Sequence, residues 1–223
     1  LKKYLIEETY EVIDAIDSKD DEKIKEELGD LLYQVYAHSE IAREQKRFDI
    51  DDVADGINTK LIRRHPHVFS VKDEITSDEV LTRWENIKKT EKKKGESAID
   101  GVPKSLPALL KAYRTQEKTS RIGFDWDNIE DVEEKLDEEI GEFKEAVKSA
   151  DKAKIKDEFG DILFTLVNIS RFLDIDPEEA LLHSTEKFSS RFRLVEKEAG
   201  KLGRKISDMT LDEMNALWDK AKL

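Results

Sequence analysis

Apolar residues recur along this chain at intervals of three and four, not two. Leu28, Leu31, Leu32, Val35 and Tyr36 make one stripe, Phe159, Ile162, Leu163, Leu166 and Val167 a second, and Val53, Ile57 and Leu61 a third. Each is the mark of a helix that turns one face to a partner. Only four prolines and nine glycines interrupt the 223 residues, so an all-α fold is expected. Start signals stand at Asp176-Pro177, an N-cap followed by proline at the first helical position, and at Thr210 with Glu213 three later, a capping box. Gly123, Gly200 and His65-Pro66-His67 read as helix stops. The stretch 88–107, KKTEKKKGESAIDGVPKSLP, mixes a lysine run with Gly, Ser and Pro and reads as a linker. It divides the chain into domains 1–97 and 98–223.

The pattern occurs twice. EETYEVIDAIDSKDDEKIKEELGDLL, from Glu7, aligns without gaps at an offset of 131 on EEIGEFKEAVKSADKAKIKDEFGDIL, from Glu138. Lys60 and Arg64 correspond to Lys187 and Arg191 at an offset of 127, and Trp84 to Trp218 at 134. A tandem repeat of one helical unit follows. Residues 107–126 supply a helix ahead of the second Glu-Glu pair, whereas six residues precede Glu7.

Inside each repeat the polar positions carry chemistry. Glu8 and Glu11 share a helix face, as do Glu27 and Asp30; the second unit repeats this with Glu139, Glu142, Glu158 and Asp161. The segments between, Ser18-Lys19-Asp20-Asp21 and Ser149-Ala150-Asp151, are turn and N-cap signals that send the chain back as a hairpin. Two acids from each helix then meet, and clustered carboxylates repel unless cations neutralise them. All-oxygen ligation suits Mg²⁺, with Mn²⁺ as a substitute. The apolar stripes running on from Asp30 and Asp161 place these acids at the edge of the core, where an unpaired charge is costly. In a chain this acidic a single such set is as well explained by a solvated face; finding it twice, with Gly29 and Gly160 at the same place, favours a site. Those glycines fit the close approach of a helix or ligand, or core packing. Lys187 and Arg191, one turn apart, can hold phosphate oxygens or pair on the surface; Trp218 suits a stacked base or a core position.

Composition narrows the chemistry. Fifty-two acidic against 39 basic residues leave a net charge of −13, which argues against a nucleic-acid groove, and no apolar run is long enough to cross a membrane. Zero cysteines exclude disulfides and thiolate metal sites and suit a reducing cytoplasm. No Walker loop or dinucleotide fingerprint occurs, and no Glu-x-x-His pairing for di-iron, so phosphates must be held another way.

At Glu-Glu-x-x-Glu followed by Glu-x-x-Asp in a duplicated helical unit, the sequence resembles the MazG family of nucleoside triphosphate pyrophosphohydrolases. RRHPHVF from Arg63, SLPALLKA from Ser105 and GFDW from Gly123 extend the resemblance to its tandem two-domain members. The resemblance implies an all-α cytoplasmic homodimer that uses Mg²⁺ to cleave nucleoside triphosphates of many bases between the α and β phosphates, in nucleotide-pool housecleaning. It implies Glu139, Glu142, Glu158 and Asp161 as metal ligands, and Lys187, Arg191 and Trp218 as nucleotide contacts. Glu138, about 100° around the helix from Glu139, is placed to act as the general base. The corresponding set Glu8, Glu11, Glu27, Asp30, Lys60, Arg64 and Trp84 is a possible second site, but the family's leading segment does not precede Leu1, so the second unit is expected to do most of the work. The competing expectation is a helical scaffold that binds nucleotides or a protein without turnover.

Overall fold

The computed structural model describes residues 1–69 and 97–222, and divides into two compact units, Leu1–Lys94 and Gly95–Leu223. Trp84 and much of the expected linker lie outside the described residues. All regular structure among the described residues is helical.

In the first unit α1 (Lys2–Ser18) and α2 (Asp21–Glu44) form a hairpin, followed by α3 (Ile50–Arg64) and the short α4 (Pro66–Phe69). The hairpin turn is two residues. Lys19 takes the left-handed conformation (φ 56°), and Asp20 accepts hydrogen bonds from the Glu22 and Lys23 N–H groups that α2 would otherwise leave unpaired. The second unit builds the same hairpin from α6 (Ile129–Ser149) and α7 (Lys152–Phe172), with Ala150 left-handed (φ 54°) and Asp151 as the cap. Ahead of it lies α5 (Ala108–Ser120), which packs on α7 and on α8 (Pro177–Lys201); α9 (Leu211–Lys220) closes against α8. Asp176 with Pro177, and Thr210 with Glu213, cap α8 and α9 as their sequences predict.

Gly123 (φ 84°) ends α5 as expected, but Gly200 is no stop. Helix α8 runs on to Lys201, and Gly203 (φ 66°) takes the left-handed turn instead, because only there does the chain reverse toward α9. Cores are small: Val12 and Ala15 in the first hairpin, Val132, Ala146 and Val167 in the second, and Val195, Ala199 and Leu217 between α8 and α9. Each fully buried valine contributes about 1.5–3 kcal/mol. The three stripes are less covered than their spacing implies. Leu28, Leu32, Val35, Tyr36, Val53, Ile57, Leu61, Phe159, Leu163 and Leu166 all remain exposed, since each hairpin's own contact uses only a narrow line of small residues. A Cβ built at Gly29 or Gly160 meets no atom within 4 Å, so close helix approach within the described chain does not explain these glycines.

Candidate functional site

The α6–α7 hairpin brings the second unit's acids together. One carboxylate oxygen each from Glu139, Glu158 and Asp161 lie within 4.8 Å of one another, and Glu142 stands beside Glu158. Of the four only Glu139 is buried, at 6% exposed, while Asp161 is exposed; the acid at the edge of the core is thus on α6, not the aspartate that the α7 stripe suggests. Partial burial holds the Glu158 carboxyl above the ordinary carboxylate range, and repulsion from Glu142, Asp161 and Glu139 adds to it.

One cation answers this charge directly. Lys135 Nζ lies 2.9 Å from Glu139 Oε1 and 2.9 Å from Glu138 Oε1, and these two bonds, to Glu139 first, raise its ammonium above the ordinary lysine range. Its position was legible: three and four residues before a Glu-Glu pair on one helix is an ion-pair spacing. Glu138 itself is exposed and lies outside the three-acid group.

The first unit repeats the cluster with different support. Glu8, Glu11 and Glu27 form the three-acid group, and Asp30 is exposed outside it. Burial first, then a hydrogen bond and repulsion from its acidic neighbours, raise the Glu11 carboxyl. In place of a lysine, Gln34 donates its Nε2 to Glu8 Oε1 at 3.2 Å. At the repeat offset of 131, Tyr4 stands where Lys135 does, and Gln34 where Thr165 does. The first cluster therefore lacks the cation that touches its equivalent. Lys60 and Arg64 lie on α3.

A cavity of about 510 Å³ opens beside Lys135, Glu139 and Asp161 and runs between α5, α7 and the loop at 123–126. Lys187, Arg191 and Trp218 do not line it. Lys187 and Arg191 sit on α8; Trp218 is half-buried on α9 against Phe188, ring centroids 5.1 Å apart, and joins the Val195, Ala199 and Leu217 cluster. Glu138, Glu142 and Glu158 instead border an open groove on another side of the hairpin.

The chain matches the sequence profile of the MazG nucleotide pyrophosphohydrolase domain at residues 1–69 and again at 128–195. It is 48% identical over its full length to the nucleoside triphosphate pyrophosphohydrolase/pyrophosphatase MazG of Thermotoga maritima, covering 85% of that protein. It is 43% identical over 98% of its length to the nucleoside triphosphate pyrophosphohydrolase of Escherichia coli K12, again covering 85%. An uncharacterized Bacillus subtilis protein, YabN, is 49% identical over the whole chain, which spans 46% of it.

Proposed function

The chain belongs to the MazG nucleotide pyrophosphohydrolase family, and from that premise we propose that it hydrolyses nucleoside triphosphates of many bases at the α–β bond, with Mg²⁺, to a monophosphate and pyrophosphate. The observation that carries this reading is the three-acid group of Glu139, Glu158 and Asp161, of which Glu139 and Asp161 line a cavity of about 510 Å³. The donor set fits a hard divalent ion: carboxylate oxygens alone, mutually within 4.8 Å and short of positive charge. Glu139, Glu142, Glu158 and Asp161 would hold Mg²⁺ or Mn²⁺. When bound, the ion offsets the negative charge of the phosphate oxygens and assists the attacking water.

The chain's own residues do the rest. Lys135 ties Glu138 to Glu139 through one ammonium, which fixes Glu138 beside the cluster. From there Glu138 takes the proton of the water that attacks the α phosphorus, and the α–β bridging oxygen departs with pyrophosphate. Lys187 and Arg191 are the cations for the phosphate oxygens, and Trp218 contributes to nucleotide binding. The protein works as a homodimer in the cytoplasm, in clearing the nucleotide pool; a second copy is what covers the exposed Phe159, Leu163 and Leu166 of α7. Among the described residues no helix is long and apolar enough to cross a membrane.

The test is product analysis. Each common ribo- and deoxyribonucleoside triphosphate is incubated with Mg²⁺, and pyrophosphate is separated from orthophosphate. Pyrophosphate with monophosphate is expected. Orthophosphate alone excludes α–β cleavage, and binding without either product is what a scaffold requires.

A further inference from the structure

We infer that Arg171 is a positioning residue: anchored on α7, its guanidinium ties the 123–126 loop down through Asp125 and holds that loop ordered before a triphosphate arrives. The inference rests on the reading above that this site takes nucleoside triphosphates.

The loop is fixed at its two ends by local caps. Gly123 is left-handed (φ 84°), and its N–H and that of Phe124 turn back to the Ser120 and Thr119 carbonyls, the two bonds that close α5. At the other end the Asn128 side chain accepts from the Asp131 N–H and opens α6. Packing adds little between them. Phe124 is 78% exposed and Trp126 42%, so these rings remove little apolar area from water. Among the described residues, the side-chain hydrogen bond that joins this loop to α7 is the one from Arg171 Nη2 to Asp125 Oδ1.

That bond is set apart from the surface ion pairs of the chain. Its side chains are 13% and 25% exposed, against 76% and 85% for Lys25 and Glu22, so water screens it far less. The guanidinium is itself oriented from its own helix. The same Nη2 donates to Asn168 Oδ1 at 2.8 Å, and Cζ lies 4.8 Å from the centre of the Phe172 ring. Arg171 Nε meanwhile stays buried without a partner. An arginine paired for stability alone would engage both edges of its fork, so the pair is better explained by where it places Asp125. Asp161 of the three-acid group stands on the same helix, about 15 Å along its axis, and Asp125, Asp161 and Arg171 all line the cavity. One rigid helix therefore carries both an acid of the cluster and the anchor of the loop.

A loop that must be ordered as substrate binds draws that cost from the binding free energy, whereas a loop ordered beforehand does not. Arg171 and Asp125 are not among the acids assigned to the metal and the water. Loosening their tie should raise KM and leave kcat nearly unchanged.

The experiment uses the full chain with Mg²⁺ and the variants Arg171→Met, Asp125→Asn, Asp125→Glu and the double Arg171→Met with Asp125→Asn. The double leaves no buried charge unpaired, which keeps the test open if Asp125→Asn alone does not fold. KM for ATP in pyrophosphate release should rise about three- to tenfold in Arg171→Met with kcat within about twofold, and the double should be no worse than Arg171→Met, since a broken tie cannot be broken again. Asp125→Glu, which keeps the carboxylate, should recover most of the loss. Hydrogen exchange followed by mass spectrometry should find the Ile122, Gly123 and Phe124 amides exchanging about tenfold or more faster in Arg171→Met, with α6 and the rest of α7 as in the parent. A folded Arg171→Met with parental KM and parental loop exchange overturns the inference. So does a loss that is additive in the double, or one that falls on kcat, or faster exchange spread through α7, each of which makes Arg171 a general stabiliser. The exchange readout needs no turnover and so separates this from the hydrolase reading. A parent that releases no pyrophosphate overturns the hydrolase reading while loop-confined exchange keeps the tie; hydrolysis with parental loop exchange in every variant does the reverse.

Discussion

Replacing Lys135 by Met tests whether the ammonium is a stand-in for metal charge, since Met keeps the length and apolar stem of the side chain. Opposite charges 2.9 Å apart attract by about 1.4 kcal/mol in water and about 6 kcal/mol at an effective dielectric of 20. The Lys135 side chain is 32% exposed while that of Glu139 is 8% exposed, so solvent screens one partner and not the other. The net loss should lie toward the lower end, about 1–2 kcal/mol. At a few degrees per kcal/mol, the metal-free variant should melt roughly 3–6 °C below the parent. The pair raises the Lys135 ammonium, so its contribution is fully present at neutral pH and is lost only as pH rises through that raised value. Saturating Mg²⁺ supplies the missing charge. It should shrink the deficit and stabilise the variant more than the parent, because in the parent the nearby Lys135 charge opposes the ion. The assay is thermal melting followed by circular dichroism, in EDTA and in Mg²⁺. An equal deficit in both conditions would mean that Lys135 acts by packing alone, and no deficit in EDTA would mean that the ion pair contributes nothing.

Glu158→Gln should raise the melting temperature of the metal-free protein at neutral pH, because the raised Glu158 carboxyl makes the parent's fold less stable as pH climbs above the unfolded carboxylate range. The gain should fade on acidification, where the parent's carboxyl is protonated anyway, and reverse in Mg²⁺; a loss in EDTA contradicts the repulsion. Glu213 runs the opposite way. Arg204 first, and the Thr210 N–H with it, hold its carboxyl down to about 2, so its contribution is present above about 4.5 and lost as pH falls toward 2. Parent and Glu213→Gln should therefore differ in stability at neutral pH and converge near pH 2 in acid titration. Finally, Glu8→Gln with Glu11→Gln should leave turnover within a few-fold of the parent, whereas Glu139→Gln with Glu142→Gln should abolish it. The first cluster is held by Gln34 where the second has Lys135, and the opposite ranking of steady-state rates assigns the work to the first unit.

Helix, turn and repeat were legible because each rests on neighbours within a turn or two. The caps at Asp20, Asp151, Asp176 and Thr210 are local hydrogen bonds that the side chain makes to its own helix start. The spacing of Glu139 and Glu142 against Glu158 and Asp161 put acids on facing helices for the same reason, and Lys135 was readable from its place ahead of Glu138 and Glu139. Periodicity says which face a residue occupies, not what covers that face. Hence the stripe at Phe159, Leu163 and Leu166 stays exposed in this chain, and burial falls on Glu139. Gly200 and Gly203 illustrate the same limit, since either can end a helix and only the path to α9 selects Gly203. The cavity is the part that tertiary structure alone decided. Gln116 reaches the Phe164 carbonyl 48 residues away and Arg171 reaches Asp125 across 46. No local pattern encodes such pairs, because the backbone groups and charges that orient those side chains come together only when α5 and the 123–126 loop pack on α7.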